Sequence, residues 1–143
     1  MSVELILKKK GSNVYTVRPE HSLAETATLL AVKKVGVAVV CDSKGHVVGV
    51  VSERDIVKAL ADYGRGALDM PARNIMSSPP VTCTLSDSVK EILEVMTHRR
   101  MRHLPVIEDG DLVGIVSIGD AVGFRLQQTQ EEVGVLRDFA VIR

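Results

Sequence analysis

The chain says the same thing twice. Displaced by about 65 residues, 47–57 (VVGVVSERDIV) falls on 112–122 (LVGIVSIGDAV), and six of the eleven positions are identical. Upstream, 22–40 and 88–106 share their apolar pattern without a gap, and a one-residue difference follows in CDSKGHVVG against IEDGDLVG. A repeat of this size means two copies of one supersecondary unit, neither of which buries its apolar face alone.

Each copy reads in the same order. A short strand, VYTV from Val14 or VTCTL from Val81, comes first. A helix follows with apolar residues at helical spacing: Leu23, Ala27, Leu30 and Ala31, or Val89, Ile92, Leu93 and Met96. Ser22 with Glu25, and Ser88 with Glu91, have the spacing of capping boxes at the helix starts. A second strand, a turn at Lys44-Gly45 or Asp109-Gly110, and a third strand complete a hairpin. A last helix begins at Glu53 or Ile118. The fold class is therefore α/β (α+β): two β-α-β-β-α repeats, related by a pseudo-twofold axis and packed through their sheets, because one three-stranded sheet with two helices buries too little to stand alone.

The expected division is an N-terminal segment 1–13, a first repeat 14–62, a linker 63–80, a second repeat 81–124 and a C-terminal helix 125–143. Pro71 suits the start of a short linker helix through Met76, and Ser77-Ser78-Pro79-Pro80 stops it. Val122, Leu126, Val133, Leu136 and Ala140 form an apolar stripe on the last helix, which needs its own domain or a second subunit to pack on.

Composition narrows the function classes. Formal net charge is zero, with only two Tyr, two Phe and no Trp. That gives little attraction to nucleic acid and few platforms for base stacking. No apolar run approaches the roughly 18 residues of a membrane span. The lysines of MSVELILKKKGS follow its apolar run, unlike a secretory signal, so a cytoplasmic setting is expected. Cys41 and Cys83 are expected as free thiols. His98 and His103 straddle a helix-strand boundary, so no metal site is expected. No nucleophile-base set, P-loop or dinucleotide fingerprint is present, and no enzyme is expected.

Both copies end their third strand in Gly-x-x-Ser-x-x-Asp: Gly49-Ser52-Asp55 and Gly114-Ser117-Asp120. One reading is a helix cap, with Ser on the free N–H groups and an acidic residue in the first turn. The other is a ligand site, since a carboxylate accepts from both hydroxyls of a ribose. These segments, with RHLPVIEDGDLVGIVSIGD, KGHVVGVVSERD and the β-α-β-β-α order, resemble the cystathionine-β-synthase (CBS) domain family over residues 14–124. The chain is most similar to stand-alone bacterial proteins holding a tandem CBS pair, or Bateman module.

The resemblance implies a non-catalytic, homodimeric sensor of an adenosine-containing ligand. AMP is the first expectation, followed by ATP, ADP or NAD(H), with S-adenosylmethionine also known in the family. A protein partner is open, and no nucleic acid or membrane is implied. Carried over by position, one cleft joins Ser52 and Asp55 to Cys83, Met101, Arg102 and His103, with Arg54 beside them. The other joins Ser117 and Asp120 to Val17, Val35, Gly36 and Val37. The first has cations for phosphate and the second has none, so the first is expected to prefer phosphate-bearing ligands, and the second to bind more weakly, to hold a less charged group or to stand empty. The run HRRMRH at 98–103 is either a solvated helix end or, through its last members, a phosphate contact. The rival reading is a protein-interaction module without a small ligand, its serines and aspartates acting only as caps.

Overall fold

The computed structural model describes residues 2–141, and the side chains of 2–136. Its order is α1 (Val3–Lys10), β1 (Thr16–Val17), α2 (Leu23–Lys33), β2 (Val37–Cys41), β3 (Val47–Ser52), α3 (Glu53–Tyr63), a 3-10 turn (Gly64–Asp69), α4 (Ala72–Ile75), α5 (Val89–Arg99), β4 (His103–Glu108), β5 (Asp111–Ser117) and α6 (Ile118–Val141). The mixed α/β class expected from the repeats is the observed one. The first sheet runs β1-β2-β3, with β1 parallel to β2 and β2 antiparallel to β3. In the second, β4 and β5 are antiparallel. The strand expected at VTCTL is reduced to one parallel bridge, Cys83 to Val106.

Alternation along the strands explains how the repeats meet. Ala38, Val40 and Val51 face the helices of the first repeat, in a cluster with Leu23, Leu30 and Ile56. Their neighbours Val37, Val39 and Val50 face the other way and meet Ile115 of β5. Val116, next along β5, turns back to pack with Ile92, Met96 and Leu104. Each hairpin is thus buried on both faces, which is why VGVAVV reads as a continuous apolar run rather than an alternating one.

The N-terminal segment 1–13, to which the sequence reading assigns no element, forms α1. Val3, Ile6 and Leu7 share one helical face and lie in the core of the second repeat. Val3 N–H donates to Asp87 O at 2.9 Å, and Ser2 bridges Ser88. The linker does the equivalent for the first repeat: Ala72 N–H donates to His21 O at 2.7 Å, and Pro71 bridges Ser22. Each repeat is therefore covered by the helix that precedes the other. Pro71 occupies the N-cap position of α4 rather than its first turn.

The two motif glycines mark where these covering segments press closest. A Cβ on Gly49 would lie 2.7 Å from Met76 Sδ and 2.8 Å from Ser77 O, while one on Gly114 would lie 2.8 Å from Leu7 Cδ1. Ser77 also exchanges two backbone hydrogen bonds with Val50, so its carbonyl cannot easily retreat. On α6, Ala121 is buried, but Val122, Leu126, Val133 and Leu136 are exposed, so nothing among the described residues covers the expected stripe. The Ala140 side chain lies outside the described residues.

Both glycines are therefore packing requirements, with unequal tolerance. Gly49→Ala is expected to destabilise by about 1–3 kcal/mol, as overpacking does. Gly114→Ala is expected to cost less, because a leucine side chain can shift where a paired carbonyl cannot. Urea unfolding of the two variants checks the order; equal losses would contradict it.

Candidate functional site

Both Ser-x-x-Asp segments are complete helix caps. Asp55 N–H donates to Ser52 Oγ at 3.2 Å, and Ser52 N–H donates back to Asp55 Oδ2 at 2.8 Å. The second copy repeats this at 3.0 and 2.9 Å between Ser117 and Asp120. Aspartate closes the box here although glutamate is the commoner partner. At Ser22 and Ser88 the hydroxyl accepts from Glu25 and Glu91 N–H at 3.1 and 3.0 Å, the forward half of the expected box. Capping of Ser52 uses Oδ2 of Asp55, so Oδ1 is not consumed by it.

Backbone geometry decides what faces these caps. α2 and α5 end alike, on Lys34 and Arg100 in the left-handed region with φ 56 and 54. That turn swings Val35-Gly36 and Met101-Arg102 toward the strand ends. Antiparallel register then sets Val37 opposite Ser52, and His103 opposite Ser117. Gly36 O accepts from Glu53 N–H at 2.9 Å, and Arg102 O from Ile118 N–H at 2.8 Å.

One cleft of about 600 Å³ opens between the repeats. Ser52, Glu53, Arg54 and Asp55 come from the start of α3, and Gly36, Val37, Val50 and Val57 from the same repeat. Arg100, Met101, Arg102 and His103 come from the other repeat, with Ser77 from the linker. The volume is that of an ordinary small-molecule site. Three arginines against two carboxylates make it net cationic.

The structure brings together Ser52, Arg54, Asp55, Met101, Arg102 and His103, the group assembled by position in the sequence. It does not place Cys83 with them. Cys83 is buried among Val3, Ile92 and Val106, and burial, helped by Asp87, pushes its thiol up to about 12. Gly36 and Val37, assigned by position to the Asp120 cleft, line the Asp55 cleft, where the hairpin register sets Val37 opposite Ser52. Val17 is buried in the first core and Val35 packs against it. Sequence reasoning missed Glu53, Ser77, Val50, Val57 and Arg100. The hairpin register was a readable signal for Gly36 and Val37; the approach of Ser77 to Val50 had none.

Charge within the cleft is also differently disposed than expected. Burial lowers His103, and Lys10 and Arg102 lower it further against the opposing pull of Asp120 and Glu53. Above its ordinary value of 6.5 it therefore presents a neutral imidazole, and the arginines carry the positive charge.

The second strand end is occupied from within. Lys10 Nζ lies 2.6 Å from Asp120 Oδ2, with about a third of the Lys10 side chain and a quarter of the Asp120 side chain still exposed. Partial burial alone would raise the Asp120 carboxyl, but Lys10 and the Ser117 N–H outweigh it and hold it below its ordinary value. Among the described residues no cluster of His, Cys, Asp or Glu could hold a metal, both cysteines are free, and no helix is long and apolar enough to cross a membrane.

The CBS domain family matches twice, at residues 8–62 and 72–126. The chain belongs to the CBS domain family. A CBS-domain-containing protein from Agrobacterium tumefaciens is 41% identical with a TM-score of 0.83, over 87% of this chain and 92% of that one. A CBS domain protein from Pyrobaculum aerophilum, complexed with AMP, is 35% identical with a TM-score of 0.75, over 84% and 89% of the two chains. A CBS domain-containing protein of Bacillus subtilis is 30% identical over 109 residues, 76% of each chain. The chain spans 65%, 56% and 37% of the length of curated relatives from Acidianus ambivalens, Methanopyrus kandleri and Thermofilum pendens.

The ion pair between Lys10 and Asp120 of this CBS-domain chain has a defined pH signature. A carboxylate lowered on folding contributes stability that is present above its unfolded value of 3.8 and is lost as pH falls through its lower folded value. Lys10→Met, which keeps the aliphatic stem, is expected to cost no more than about 1 kcal/mol at neutral pH. The gap between the two proteins is expected to close as pH drops below 3.8. Thermal melts from neutral to acid pH check this; a gap unchanged at the acid end would contradict it.

Proposed function

We propose that this chain is a non-catalytic regulatory module that binds an adenosine-containing ligand in the Asp55 cleft, with AMP the first choice and ATP, ADP or NAD(H) next. The observation that carries the reading is the composition of that cleft. A carboxylate and a hydroxyl stand at a helix start on one repeat, and two arginines and Met101 face them from the other. Val37, Val50 and Met101 suit an adenine ring, the Asp55 carboxylate suits a ribose diol, and Arg54, Arg100 and Arg102 suit phosphate. The AMP complex of the Pyrobaculum relative supports the ligand class.

Such a ligand contacts both repeats, so it favours the arrangement in which they are correctly spaced. The output is a population shift felt by a second copy or a protein partner. The exposed Leu126 and Leu136 of α6 suit a homodimer contact, and Leu126→Glu with Leu136→Glu is expected to yield a monomer by light scattering.

Calorimetry against AMP, ATP, NADH and S-adenosylmethionine is the direct test. Asp55→Asn separates cap from ligand. Its carbonyl oxygen can still accept from Ser52 N–H, but the remaining amide donates where a ribose hydroxyl also donates. Melting temperature is expected to hold while affinity falls at least about tenfold, or 1.4 kcal/mol. A ligand at 100 times its dissociation constant is expected to stabilise the wild type by about 2.7 kcal/mol. Silence from all four ligands in both measurements leaves the rival reading, in which the complete Ser52–Asp55 box is only a cap.

A further inference from the structure

We infer that Lys10 closes the Asp120 strand end to nucleotide, so that the chain takes one ligand rather than the two its duplicated motif would allow. The inference rests on reading the Ser-x-x-Asp strand ends as adenosine-ligand sites, and it adds what makes them unequal.

The two strand ends share every backbone device. Both have the reciprocal Ser–Asp box, the same antiparallel register, and a left-handed residue before the facing strand. They differ in what covers the motif glycine. Over Gly49 lies α4, four residues long and ending at Ile75, followed by Met76 and the paired carbonyl of Ser77. The chain then continues as Ser78-Pro79-Pro80, which offers no cation. Over Gly114 lies α1, eight residues long and ending in Lys8-Lys9-Lys10. Leu7 fills the space beside the glycine, and three residues on, about one helical turn, Lys10 reaches Asp120.

That contact is charge-assisted and partly shielded from water. Its ammonium engages Oδ2, the oxygen that also accepts from Ser117 N–H. A ribose diol approaching Asp120 must displace the ammonium or lose one of its two acceptors. Asp55 meets no lysine or arginine within ion-pair distance among the described residues and keeps its carboxylate for a ligand. His103 stands between the two ends, within the electrostatic reach of Lys10, Asp120 and Glu53. Arg102, which lines the Asp55 cleft, gives its carbonyl to the start of α6.

Titration calorimetry with AMP reads the number of ligands per chain. Wild type is expected to bind one, Lys10→Met two, and Lys10→Arg one. Adding Asp55→Asn to Lys10→Met is expected to leave one tight site, at the Asp120 end, and a second at least about tenfold weaker. Thermal melts verify that each variant is folded, and Lys10→Ala provides a second charge-removing variant. One AMP per chain in both folded Lys10 variants and in wild type overturns the inference and leaves the proposed function standing. Two in wild type overturns it as well. No binding of AMP by wild type or by either Lys10 variant overturns both, whereas binding only after Lys10 is removed supports the inference and sinks the Asp55 cleft as the primary site.

Discussion

The contact on which everything else depends is the one between the two hairpins, where Val37, Val39 and Val50 of one repeat meet Ile115 of the other. It is apolar and central. Without it neither sheet has a covered second face, and residues 100–103 have no reason to stand opposite Ser52. The cleft is the margin of this contact. It opens where the strands end and the apolar packing gives way to helix starts, which carry free N–H groups and favour negative charge. Its location is thus set by core packing, and its chemistry by the few polar residues at the strand ends.

The exchange of covering helices ties the two halves together more firmly than the sheet contact alone. α1 precedes the first repeat and completes the core of the second, while α4 precedes the second and completes the core of the first. Displacing either repeat from its partner therefore exposes apolar surface in both. A ligand that adjusts the cleft acts on a unit whose parts are mutually locked, which suits small shifts in arrangement rather than separation of the repeats.

Much of this was readable beforehand because repetition is robust to local ambiguity. The six matched positions in 47–57 and 112–122, the serine caps and the hairpin turns located the strands and helices and gave the α/β class. The joining of Ser52 and Asp55 to Met101, Arg102 and His103 was implied by the resemblance to the CBS family, carried over position by position. Three things were not readable. The helix at Val3–Lys10 is short, and its partner surface lies more than eighty residues away in sequence, so its apolar spacing alone identified nothing. The first strand of the second repeat shrank to a single bridge at Cys83, and Cys83, like Val17 in the first repeat, is buried in its own core rather than in the cleft. The approach of Ser77 to Val50, which brings the linker to the cleft, joins segments that share no pattern in sequence.

Duplication normally leaves two equal copies, and divergence shows first where equality is cheapest to lose. Here the caps have not diverged, because each is needed to start a helix whether or not a ligand comes. The covering segments have. One is a four-residue turn that must thread on into a strand-like linker, and the other is a full helix free to end in lysines. A difference between the two covering segments places a cation on one of two otherwise matching carboxylates. Asymmetry in this CBS pair thus arises outside the motif that would do the binding.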